Sequence, residues 1–153
     1  MKKLFSYLAV LLWMALIFFF SHQPASNSNE LSEGITEVIV TTVEKVASSY
    51  DFISGNWNHL VRKNAHFFIY LMLGVLVMNS LKFSGLTGYK KIGVALVICV
   101  FYAISDEVHQ LFVSGRGAQV IDVLIDSYGA SVGIGIDFAI GALKRRKANG
   151  RRI

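Results

Sequence analysis

The 153-residue chain has one cysteine, one proline and only ten acidic residues. Cys99, alone among Val, Ile and Phe, excludes an internal disulfide and reads as a packed, inert thiol. The sole proline, Pro24, lies in SHQPASNSN, just past the first apolar run, and marks an exit turn. There is no internal repeat and no low-complexity tract. Charge is missing from whole stretches: residues 4–20, LFSYLAVLLWMALIFFF, contain none. With 54% hydrophobic residues gathered into such runs, a membrane explains the composition better than a soluble core.

The runs predict an all-α integral membrane protein with four spans in a compact bundle, at about 4–20, 64–83, 92–108 and 120–143. The first run is longer than the apolar part of a secretory signal and abuts no clear small-x-small cleavage site, so it reads as an uncleaved helix. Between spans one and two, Leu31, Ile35, Val38, Ile39 and Val46 form the stripe of an amphipathic helix over about 31–48. That helix is expected on the outer membrane surface or capping the bundle. Residues 1–143 thus make one four-span domain and 144–153 a basic tail.

Orientation follows from the basic residues. Lys2, Lys3, Lys82, Lys90, Lys91, Lys144, Arg145, Arg146, Lys147, Arg151 and Arg152 fall on one side of a four-span bundle, and none of the ten acids does. The positive-inside rule then places both termini in the cytoplasm. The net charge of +5 is therefore a topological signal, and nucleic acid loses its main support as a partner. The lipid bilayer is the partner the sequence implies.

Polar residues inside spans are costly and point to function by default. Alternating spans bring the start of span two, the end of span three and the start of span four to one face. Span two offers Lys63, His66 and Tyr70 at i, i+3, i+7. Span three offers Tyr102, Asp106 and His109, with Gln110 beside them and Glu107 expected to turn aside. Span four lines up Asp122, Asp126, Gly129 and Gly133, the last two a GxxxG that favours close packing. The turn Ser114-Gly115-Arg116-Gly117 can expose backbone N–H groups and, with Lys63, receive an anion; alternatively Arg116 pairs with Asp106, Glu107 or Asp122. Three chemistries fit the cluster: divalent-metal binding, acid–base catalysis, or a structural ion-pair network. No HxxxH or ExxH signature is present, so no metal and no cofactor is assigned. Asp137, apart from the rest, has either an inner-leaflet lysine as partner or no role.

Three segments resemble the VanZ-like family: SHQPASNS after span one, KNAHFFIYLMLG (63–74) and SDEVHQLFVSGRGAQVIDVLIDSYG (105–129). The last is long, with ordered DExHQxF, GR and DxxxD spacing, and is specific. The resemblance implies a polar core of Lys63, His66, Tyr70, Asp106, Glu107, His109, Gln110, Arg116, Asp122 and Asp126. The family commonly carries asparagine at the place of Asp126 and proline near Ser114. Its founding member is tied to reduced susceptibility to teicoplanin-type glycopeptides. The resemblance therefore implies action at the outer face on envelope components. An enzyme acting on a phosphate-bearing lipid or cell-wall precursor, and a small transport subunit, are the alternatives.

Overall fold

The structure, a computed structural model, describes residues 1–26, 30, 33–34 and 57–149. Four helices carry the architecture: α1 (Lys2–Ser21), α2 (Trp57–Ser80), α3 (Gly88–Gln110) and α4 (Val120–Asn149). A 3-10 turn, Leu81–Phe83, extends α2. The described residues contain no strand. All four helices are long and apolar enough to cross a membrane. α4 continues as helix beyond the expected span end at 143, through its basic residues to Asn149. Of the amphipathic helix expected over about 31–48, only residues 33 and 34 are described, both helical; the rest lies outside the described residues.

The distribution of bulk suits a lipid solvent. Phe5, Leu12, Phe19, Phe68, Phe101, Leu124 and Leu143 point outward and are exposed. The buried layer holds many smaller side chains: Leu73, Val77, Ala95, Cys99, Ala103 and Ala130, with Tyr70 and Met78 as its larger members. In a bilayer, helices gain little from hiding apolar surface from one another, so close packing and interhelical hydrogen bonds must hold them. Both are present. Trp13 Nε1 on α1 donates to the Ile69 carbonyl of α2 at 2.9 Å, and the Tyr102 hydroxyl of α3 donates to the Met14 carbonyl of α1.

The closest approach is between α2 and α4, which also share the most extensive interface. Gly129 and Gly133 lie directly on the backbone of Phe67 and Leu71, and Gly74 lies on that of Ala130. A Cβ at any of the three would collide with the facing carbonyl oxygen. Because residue 67 meets 129 and 71 meets 133, the two helices run parallel and in register. The GxxxG face expected on span four is thus the packing face, with Gly74 as its counterpart on α2.

Lys82 Nζ meets Asp137 Oδ1 at 2.8 Å, and Lys91 stands 4.0 Å from Oδ2, at the end of the bundle that carries the basic residues. Asp137 therefore has its lysine partner. These groups border a cavity of about 250 Å³ between α2, α3 and α4.

The packing generates a comparison of two neighbouring glycines. Gly133→Ala should destabilise the protein by more than about 2 kcal/mol, on the high side of ordinary overpacking, because the obstructing atom is backbone. Gly135→Ala should be tolerated, since nothing lies within 4 Å of the position its Cβ would take. Unfolding in detergent and membrane abundance measure both; equal behaviour of the two variants would rule out the close contact.

Candidate functional site

The α2–α4 register sets one pair of polar contacts. Next to the Phe67–Gly129 contact, His66 Nδ1 stands 3.4 Å from Asp126 Oδ1. A turn further out, Lys63 Nζ stands 3.8 Å from Asp122 Oδ1. His66–Asp126 is within ion-pair range, but its angles do not make a hydrogen bond.

Asp106 of α3 completes the inner group, and α1 holds it. The Ser21 hydroxyl donates to Asp106 Oδ2 at 2.8 Å, with both residues buried. Tyr102, Asp106 and His109 do share a face, as their spacing predicts, but that face is turned largely to α1. His109 Nε2 meets His22 Nδ1 at 3.1 Å and its ring lies against Phe18. His109, half-buried, thus pairs with the exposed His22 at the end of α1, separate from the His66 group.

Glu107 departs from expectation. It does not turn aside: it is 3% exposed and ties the end of α3 to the start of α4. Its Oε2 accepts from the Gln119 backbone N–H at 2.9 Å, and its Oε1 accepts from Gln110 Nε2 at 3.1 Å. The same amide makes a longer contact of 3.4 Å to Asp106 Oδ2. Helical spacing along α3 alone turns Glu107 outward; the chain entering α4 folds over that side and buries it.

The glycine turn has its own use. Gly115 has φ +75°, a conformation that favours glycine, and the Arg116 N–H bonds back to the Val113 carbonyl. Ala25 N–H donates to the Ser114 carbonyl, so the turn packs on the chain leaving α1. Arg116 donates to the Phe20 carbonyl at 3.2 Å, serving a carbonyl in the last turn of α1. Burial and the nearby Arg62 hold the Arg116 pKa below the ordinary arginine range, while Asp106 and Glu107 pull it upward. Nothing lies within 4 Å of the position a Cβ on Gly117 would take.

The structure therefore gathers His66, Asp106 and Asp126, places Tyr70 beneath them, and sets Lys63, Asp122 and Arg62 around a small recess that reaches His66. Among the described residues, neither oxygen of Asp126, nor Asp106 Oδ1, nor the Tyr70 hydroxyl has a hydrogen-bond partner. Asp126 and Tyr70 are fully buried. Sequence reasoning missed Ser21, His22 and Arg62. Only Ser21 and His22 had a signal, as the first residues of SHQPASNS.

An all-helical chain with four such spans and a polar cluster at one end is a multi-pass membrane protein. It belongs to the VanZ/LLP1 family, whose model matches residues 6–141, from the first turns of α1 to the last part of α4. No curated protein and no solved structure matches the chain.

The Ser21 contact is the most exposed to test. Ser21→Ala should cost about 1–3 kcal/mol, because it strips a buried carboxylate of its shortest hydrogen bond. Ser105→Ala, which removes an exposed hydroxyl bonded to the Tyr102 carbonyl of its own helix, should change stability by less than about 0.5 kcal/mol. Thermal unfolding of the two purified variants measures the difference.

Proposed function

We propose that this is a bacterial cytoplasmic-membrane protein with both termini inside, acting through its polar end at the outer face on an envelope component. One observation carries the reading. His66 stands between a recess bordered by Arg62 and Lys63 and the fully buried carboxylate of Asp126. A cationic rim over a buried acid suits a phosphate-bearing lipid or cell-wall precursor presented from the outer leaflet. The orientation rests on the basic residues, which gather at the opposite end with the Lys82–Asp137 pair. Residues 1–143 act as one unit in this reading, with 144–153 as a basic inner tail.

Membership of the family extends the proposal to lowered susceptibility to teicoplanin-type glycopeptides. The second reading, an enzyme acting on the same class of molecule, is favoured by the His66–Asp126 pair, which has the makeup of a carboxylate-oriented general base. A transport subunit is disfavoured: between the two polar ends lies an apolar layer of Leu73, Val77, Cys99, Ala103, Ala130 and Ile134.

Two measurements test this. Cysteines replacing Gly117 and Tyr89 in a Cys99→Ala background should differ: the first reacts with an impermeant thiol reagent from outside, the second does not. Labelling of position 89 from outside would overturn the orientation. Overexpression of the wild type should raise resistance to teicoplanin and alter the lipid-linked envelope precursors seen by mass spectrometry. Asp126→Leu at equal membrane abundance should do neither. Unchanged susceptibility on both deletion and overexpression removes the glycopeptide reading, and an unchanged precursor profile removes the envelope reading.

A further inference from the structure

His66, Asp106 and Asp126 come from three different helices. Each brings a ligand atom within 4.8 Å of the other two. We propose that these three residues bind a divalent transition-metal ion of the Zn²⁺ or Mn²⁺ class.

Four observations carry this. First, the donor set is one imidazole and two carboxylates. That set suits borderline divalent ions; magnesium and calcium prefer all-oxygen shells. Second, among the described residues, buried oxygens of the group lack hydrogen-bond partners. Both oxygens of Asp126 and Oδ1 of Asp106 have no hydrogen bond among the described residues, although Asp126 is fully buried and Asp106 is 3% exposed. A buried carboxylate in that state is costly, and a cation between the two acids supplies what the protein does not. Third, Ser21 holds Asp106 by its other oxygen, Oδ2, which orients the residue and leaves Oδ1 for a ligand. Fourth, the side chain of His66 is 20% exposed and borders the small recess lined by Arg62, Lys63 and Asp122, so the group is not sealed at that side.

The dimensions are right for a site drawn together by its ion. Donor atoms about 2.1 Å from a tetrahedral centre stand about 3.4 Å apart. His66 Nδ1 and Asp126 Oδ1 already stand 3.4 Å apart, and all the donor atoms lie within 4.8 Å of one another; mutual repulsion of the two carboxylates opposes closer approach until a cation is present. The Tyr70 hydroxyl, one turn along α2 from His66, is a further buried oxygen that has no hydrogen-bond partner among the described residues. No short sequence signature announces such a site, because no two of its ligands share a helix.

The inference goes beyond the envelope reading and is tested without any activity assay. Purified full-length protein in detergent is stripped with a chelator, then titrated with Co²⁺ as a spectroscopic probe and with Zn²⁺ by calorimetry. One ion per chain is expected, with visible d–d absorption for Co²⁺ and a rise in thermal stability. His66→Gln, Asp106→Asn and Asp126→Asn should each weaken binding by at least about tenfold. His109→Gln should leave it unchanged, which separates this site from the His22–His109 imidazole pair. Failure of the stripped wild type to take up one ion would overturn the proposal. So would binding that survives Asp126→Asn and is lost in His109→Gln. If a site variant does not fold, the stoichiometry and the metal-induced stabilisation of the wild type decide the matter alone.

Discussion

Backbone-to-backbone contact between α2 and α4 is the constraint on which everything else depends. Gly129 and Gly133 let two parallel helices touch where side chains would hold them apart, at Phe67 and Leu71. In a bilayer such contact is a main source of helix association, because lipid competes for every apolar side chain. It also acts as a ruler. Once 67 meets 129, His66 must face Asp126 and Lys63 must face Asp122. A slip of one turn along either helix would break both pairings, setting one aspartate against the other's basic residue and leaving the second with neither.

The other two helices complete the polar end through hydrogen bonds. α1 supplies Ser21 to Asp106, and its Phe20 carbonyl accepts from Arg116. α3 supplies Glu107, which reaches across to the first backbone amide before α4. Three side chains thus bind the end of α1, the end of α3 and the connection to α4 together. At the opposite end Asp137 faces Lys82 and Lys91. The bundle is polar at both ends and apolar between them.

The spans were legible because uncharged runs of this length have few other readings. The GxxxG face on α4 was legible for a similar reason: four-residue spacing of glycines puts them on one side of a helix. Its partner was not, since Gly74 is an isolated glycine whose meaning depends on Ala130 lying against it. That Lys63 and His66 would lie at the depth of the α4 acids followed from placing three stripes at one face. The role of α1 did not follow, because Ser21 is one small residue at the edge of an apolar run. Glu107 was misread because helical spacing describes one helix, whereas the side chain was buried by the chain beyond it. Arg116 was weighed between an anion and the nearby acids, yet its side chain also serves the Phe20 carbonyl, a backbone partner that side-chain reasoning does not consider.

The central claim is that helix register makes His66 and Asp126 one unit. A double-mutant cycle of His66→Gln and Asp126→Asn, followed by unfolding of metal-free protein in detergent, tests it most directly. The geometry predicts a coupling of at least about 1 kcal/mol, as expected for neighbours in one polar network. Effects that add to within about 0.5 kcal/mol would mean that the two side chains do not meet, and would contradict the account.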